Sequence, residues 1–364
     1  MIRLFVQSHG RFVADPAPED IDARIGDPEQ ETWLDITLEP GADPETDADA
    51  ALLREEFGFH PLAIADAYRK RHPPKIDVFG RDALVNLGNA ADDSSAAGLA
   101  GADDSTSPVA SRPSPCGEHY FLIAYAPRQN RRNGTVHLDQ LAVFIGRNYL
   151  VTIHRGEIPA IAETLRLWQI PDSPLGQTTG ALAHTLLDGL VDAYFPMLDH
   201  IADRLQDLED AIFGAFDEGL IKNVFSVRKD LLRIRRVLSP MRDIMNVIVR
   251  RDIDLFAPDE LAYFRDVHEH TIRHIETLDI DRELISGVLE SYLSMQSNRL
   301  NQIVKVLTVA SIILMSNSLV SGIYGMNFRH LPELSWRYGY AFALGLMVVI
   351  SVGLIVLFRR IRWL

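Results

Sequence analysis

The chain has 364 residues, 47% hydrophobic and 24% charged, with one cysteine, Cys116, and a formal net charge of −14. Residues 1–120 hold −13 of that charge, 10 Lys/Arg against 23 Asp/Glu, which argues against a nucleic-acid-binding face, since such a face needs clustered bases to release counterions. A lone cysteine excludes an internal disulfide scaffold, and the opening MIRLFVQSHGRF lacks the basic and apolar regions of a secretory signal.

Runs rich in β-branched and aromatic residues predict strands at Ile2–Gln7, Thr32–Leu38, Ala83–Leu87, Tyr120–Tyr125, Val136–Ile145 and Tyr149–His154, and helices over Asp47–Phe57 and Pro61–Lys70. Residues 90–117 offer only Leu99 and Val109 as sizeable apolar side chains. Burial cannot offset the entropy of ordering such a stretch, so it reads as a mobile insertion. From 156 onward the pattern is helical. Leu198, Ile201, Leu205, Leu208 and Ile212 recur at 3,4,3,4 spacing opposite Asp199, Asp203, Asp207 and Asp210, which predicts a core-facing seam with an acidic back. Those carboxylates read as a solvated face or as a cation-attracting surface. Arg228, Lys229, Arg233, Arg235 and Arg236 are expected to pair with nearby acids, lipid headgroups being the other reading. No proline occurs in the 73 residues from Asp259 to Leu331. One very long helix is therefore expected just after Pro258, on the order of 100 Å if most of the run is helical.

Between Lys305 and Arg329 lie 23 uncharged residues, and between Arg337 and Arg359 another 21. Each is long enough to cross about 30 Å of hydrocarbon, so the chain reads as an integral membrane protein. Arg359, Arg360 and Arg362 follow the second stretch, whereas the connection RHLPELSWR carries two Arg. The positive-inside rule then places both termini in the cytoplasm of a plasma (inner) membrane protein with two spans. The expected fold is α+β and multidomain: a cytoplasmic α/β domain with a mixed sheet at 1–155, a helical hairpin region at 156–257 and a stalk helix at 258–302. That helix continues into a first span at 303–325. A loop at 326–337, a second span at 338–358 and a basic tail at 359–364 complete it.

Directly after the first span stands Tyr324-Gly325-Met326-Asn327-Phe328. Gly322 and Gly325 loosen the helix end and Asn327 offers an amide in a membrane mouth, where amides and carbonyls can hold a hydrated cation. Gly and Asn also commonly cap helices, so the motif alone is consistent with either role. With two spans at the C-terminal end, this YGMNF signature, PEL and a Trp before the second span, the sequence resembles the CorA family of magnesium and cobalt channels. The resemblance is dense over 258–364, through YFRDVHEHTI (263–272), SGVLESYLSMQSN (286–298), KVLT (305–308) and RRIRWL. It is thinner over 156–257, in LDHIADRLQDLEDAIF and LLRIRRVLSPMRD, and earlier rests mainly on FGFHPLAIAD and PPKIDVF. Three residues depart from the family pattern: Ser316 stands where Pro is frequent, Arg329 where an acid is frequent, and Asn317 in an otherwise lipid-adjacent position.

The resemblance implies a funnel-shaped homopentamer whose five first spans line a pore through Asn301, Val304, Leu307, Ser311, Met315, Ser318, Tyr324, Gly325, Met326 and Asn327. In this sequence Asn301, Val304, Thr308, Ser311, Met315, Ser318 and Gly322 recur at 3,4,3,4,3,4, one helix face rich in small and polar groups. Such groups in a span usually face protein or water. Glu333 is the candidate acid at the outer mouth. The resemblance further implies regulatory magnesium bridging Asp266 to an acid of the adjacent subunit, Asp77 or Asp82. A plain salt bridge from Asp266 to Arg265 or Arg273 is the competing reading. Magnesium is thus both transported and regulatory ion, with cobalt and nickel as further cargo. Expected partners are other copies of the chain and the lipid bilayer, with no nucleic acid and no organic cofactor. No phosphate-binding loop and no nucleophile with its base is visible, so an enzyme is not expected. His268, His270 and His274 lie near Asp266 and Glu269; a solvated helix face is the expectation and a transition-metal site the alternative.

Overall fold

The structure, a computed structural model, describes residues 1–8, 11–14, 27, 29–79, 85–86, 117–129, 135–170, 178–212, 218–250, 255–326 and 336–363. The chain divides into two compact units, Met1–Ile285 and Ser286–Leu364.

In the first unit the strands are β1 (Ile2–Ser8), β2 (Arg11–Ala14), β3 (Gln30–Thr37), β4 (Lys75–Phe79), β5 (Val85–Asn86), β6 (His119–Gln129), β7 (Val136–Ile145) and β8 (Tyr149–His154). They form one sheet in the order β2-β1-β3-β8-β7-β6-β4-β5. Among the described strands only β3 and β8 run parallel, Thr32 to Thr37 against Tyr149 to His154, so the sheet is mixed, as expected. Helices α1 (Ala48–Glu55) and α2 (Pro61–Tyr68) begin at a capping Asp47, whose carboxylate accepts from the Asp49 N–H, and at Pro61 in the first helical position. Beyond β8 come α3 (Pro159–Trp168), α4 (Thr179–Asp192), α5 (Tyr194–Ile212) and α6 (Glu218–Val249). Alternate strand residues Trp33, Leu122, Val143 and Leu150 share a core with Ile161, Leu186 and Leu190 of α3 and α4. The same core takes in Met245 of α6 and Phe264 of α7 (Glu260–Tyr324). All six residues of β8 are buried, as suits a central strand covered on both faces.

The parallel seam between β3 and β8 carries a buried polar network. Thr152 Oγ1 donates to Asp35 Oδ1 at 2.6 Å, Trp33 Nε1 donates to Thr152 at 3.0 Å, Arg3 reaches Asp35 Oδ2 at 2.5 Å, and His154 Nε2 lies 3.1 Å from Asp35 Oδ1. Burial alone would raise the Asp35 pKa, but His154, Thr152 and Arg3 together outweigh it and hold the carboxyl below its ordinary value.

Two strands escape the sequence pattern. β2 has only four residues, and β4, KIDVF, alternates charge with apolar side chains on a strand buried at four of five positions. Of the strand expected at Ala83–Leu87, Val85–Asn86 is described as β5; its other residues, and the insertion up to Cys116, lie outside the described residues. The seam of α5 is buried at Leu198, Ile201, Leu205, Leu208 and Ile212, while Asp199, Asp203, Asp207 and Asp210 are exposed. The long helix α7 starts two residues after Pro258 and runs 65 residues without a break.

The second unit holds the rest of α7 and α8 (Gly339–Arg360). Both are long and apolar enough to cross a membrane, and their apolar stretches lie mostly on the surface. Helices in the core of a soluble protein would bury that surface. Here it needs lipid or protein to cover it.

Candidate functional site

On the span portion of α7 the side chains divide into two faces. Val309 and Val320 are buried, and Ile313, Asn317 and Tyr324 are half-buried, marking the stripe turned inward within the unit. Asn301, Val304, Leu307, Ser311, Met315, Ser318 and Gly322 are all exposed. Thr308 of the spaced set is half-buried, and Ile303, Val306, Leu314 and Leu319 on other sides of the helix are exposed too. Gly325 and Met326 close the helix, the Gly325 N–H bonding the Ser321 carbonyl at 3.0 Å. A Cβ on Gly325 would come 3.2 Å from that same oxygen, a fit too tight for most side chains. Asn327 and Glu333 lie outside the described residues, as does Asp82.

A second constellation lies in the first unit, where α4 meets α7. Asp188 and Asp192 stand one turn apart on α4, and Asp266 and His270 one turn apart on α7. His270 Nδ1 is 3.3 Å from Asp192 Oδ1 and 4.0 Å from Asp188 Oδ1, and its Nε2 is 3.8 Å from Asp266 Oδ1. Ligand atoms of Asp188, Asp192 and His270 all fall within 4.8 Å of one another. Asp188 Oδ1 and His270 Nδ1 are buried without a hydrogen-bond partner, which leaves two donor atoms turned toward one small volume. Burial, aided by the charges of Asp192 and Asp266 against that of His270, pushes the Asp188 carboxyl up to about 6. Two carboxylates and an imidazole suit a divalent cation, while Asp266 faces the other nitrogen of the ring. The oxygens match magnesium, and the nitrogen adds affinity for cobalt or nickel.

The structure separates other expected members from this cluster. His274 turns its Nε2 to the Val191 carbonyl at 3.1 Å and packs against Phe195, and burial lowers its pKa to about 4. Asp77 on β4 is buried and its carboxylate is held by Lys75 Nζ at 2.6 Å, with Asp66 taking the same ammonium at 2.7 Å. Lys75 thus pairs with Asp77 within the same chain. Asp266 is exposed, with its carboxylate toward His270. Among the basic residues, Arg233 meets Asp230 and Arg235 meets Asp279, as the charge pattern suggests. Asp188 and Asp192 went unnoticed in the sequence, although two i,i+4 pairs, D-x3-D and D-x3-H, mark them in retrospect.

The model of the CorA-like Mg2+ transporter protein family matches residues 103–360. This chain belongs to that family. The CorA-family chain is 36% identical over 92% of its length to the cobalt/magnesium transport protein CorA of Thermotoga maritima, covering 83% of that protein. It is 25% identical, over 62% of its length and 67% of the relative's, to the divalent cation transporter CmaX of Pseudomonas aeruginosa. Its fold matches the complete structure of the CorA magnesium transporter from Methanocaldococcus jannaschii with a TM-score of 0.76, at 21% identity, covering 100% of this chain and 99% of the other.

Proposed function

We propose that the protein is a homopentameric channel for divalent cations, chiefly magnesium with cobalt and nickel as further cargo, in the plasma (inner) membrane with both termini cytoplasmic. The observation that carries this reading is the exposed face of α7 through Asn301, Val304, Leu307, Ser311, Met315 and Ser318, which becomes a continuous lining when five copies surround an axis. Ser311 and Ser318 offer hydroxyls to hydrated ions, and Leu307 and Met315 form apolar constrictions that close by dewetting. At the mouth, an Asn327 ring holds magnesium through its water shell without stripping it, since magnesium dehydrates reluctantly. Glu333 attracts cations there. Inward movement of two charges is favoured by about 4.6 kcal/mol per 100 mV, at about 2.3 per charge, so the membrane potential is a sufficient drive.

Regulation rests on Asp266. It faces His270, whose other ring nitrogen lies with Asp188 and Asp192, and together with an acid of the adjacent subunit, Asp77 or Asp82, it holds an intracellular cation in the closed assembly. Such an ion favours closure only as far as it binds that state better. The deciding experiment is magnesium uptake into proteoliposomes under an imposed potential. Asn327→Ala is expected to abolish uptake with the pentamer intact by light scattering, and undiminished flux refutes the assignment.

A further inference from the structure

Asn317 sits at the middle of the 23-residue uncharged stretch, eleven residues from either end. That is about 16 Å from each edge at 1.5 Å per residue, the driest depth of a bilayer. An amide there without partners is strongly disfavoured. The second unit provides the partner. Asn317 Nδ2 donates to Ser351 Oγ of α8 at 2.9 Å, and Ser351 Oγ donates back to Asn317 Oδ1 at 3.3 Å. Both residues are half-buried between the two helices. Thr308 and Ser316 behave differently, each hydroxyl donating one turn back along α7, to Val304 O and Ile312 O at 2.8 Å. Those bonds are local and carry no information about α8. The Asn317–Ser351 pair is reciprocal and crosses between helices.

The residues buried on this part of α7, Val309 and Val320, are aliphatic. Dispersion contacts of this kind change little when one helix turns or slides by a fraction of a residue, whereas hydrogen bonds weaken steeply with angle and distance. At 100° per residue, Asn317 lies roughly 130° around α7 from the centre of the face formed by Ser311, Met315, Ser318 and Gly322. Fixing Asn317 against α8 therefore also fixes where that face points. We propose that Asn317 is a positioning residue for permeation: its clasp with Ser351 sets the rotation and height of the first span, so that Met315 and Ser318 are presented to the ion path. This rests on the pore reading above and adds to it what holds the lining in register.

The test uses full-length protein with Cys116→Ser, reconstituted in liposomes without divalent ions, and single cysteines at Leu314 and Met315. Both native side chains are exposed and they differ by about 100° in direction. Labelling by a charged, water-soluble thiol reagent is followed by mass. With the clasp intact, the cysteine at 315 is expected to react at least tenfold faster than that at 314. Asn317→Leu, which removes the amide and leaves the Ser351 hydroxyl to bond back along its own helix, is expected to shrink that ratio at least threefold. The exchanged pair Asn317→Ser with Ser351→Asn is expected to restore it. A merely stabilising contact would change the yield of assembled protein and leave the ratio alone. Fast labelling at 315 that Asn317→Leu does not alter overturns the clasp while leaving the pore reading standing. Equal labelling at 314 and 315 with the clasp intact overturns the pore reading itself, and the clasp's role with it.

Discussion

Glu31 gives the first unit a measurable response to pH. It lies on β3 and accepts a hydrogen bond from Thr179 Oγ1 at the start of α4. Close by, Glu260 at the start of α7 accepts from Thr178 Oγ1 at 2.5 Å and from the Ala257 N–H at 2.7 Å. Burial, with repulsion from Glu260 added and the Thr179 bond opposing, raises Glu31 from 4.5 to about 7. An acid whose folded value exceeds its unfolded one binds its proton more tightly when folded. Its effect is therefore most favourable below about pH 4.5, and stability declines as pH climbs toward 7. A shift of 2.5 at about 1.36 kcal/mol each gives an upper limit near 3.4 kcal/mol, which partial exposure reduces to about 1–2 kcal/mol. Glu31→Gln keeps an acceptor for Thr179 and removes the charge. It should raise the unfolding temperature of the detergent-solubilised protein by about 3–6 °C at pH 8 and leave it nearly unchanged at pH 4.5. Tryptophan fluorescence reports this region, because Trp33 lies on the same strand and packs on Trp168 with ring centroids 6.0 Å apart. An equal gain at both pH values, or a loss at pH 8, refutes the electrostatic reasoning.

Asp266→Lys should place a fixed cation beside His270 and weaken, at least tenfold in magnesium concentration, the protection that magnesium gives the cytoplasmic region against protease. Survival of that protection would return Asp266 to a plain salt-bridge role. A cysteine at Ser335, in the connection between the spans, should react with an impermeant thiol reagent applied outside intact cells, and reaction only after lysis would reverse the topology. Gly325→Ala should slow magnesium uptake several-fold, because the added Cβ meets the Ser321 carbonyl at 3.2 Å. Wild-type rates would show that the helix end relaxes at no cost to transport.

Features written in local periodicity were legible in the sequence. The α5 seam, the start of α7 after Pro258 and the two apolar stretches all follow from spacing within one element. Strand β4 was not, because Lys75 and Asp77 look like loop residues until Asp66 arrives from α2 to complete their charge cluster. The acidic cluster shows the same limit. His270 and His274 have the right spacing to share a ligand, yet residues on neighbouring helix turns still point in different directions, and His274 is drawn to the Val191 carbonyl. Asp188 joins His270 from a helix 82 positions earlier in the chain, a distance no local pattern spans. Asn317 looked anomalous for the same reason: its explanation, Ser351, lies on another helix.

The parallel pairing of β3 with β8 also bears on how the protein is made. Thr37 leaves the ribosome 112 residues ahead of Tyr149, an interval of about 6–22 s at 5–20 residues per second. Through that time the edge of β3 that pairs with β8 in the finished sheet has no neighbour available, and open edges invite pairing with other chains. The thirteen excess negative charges of residues 1–120 disfavour such pairing between copies of the chain. In that interval Asp35 has Arg3 of β1 but lacks Thr152 and His154. A β8 that pairs one residue out of register would leave that carboxylate without Thr152 and His154, so the buried network penalises a slipped register of β8 on β3.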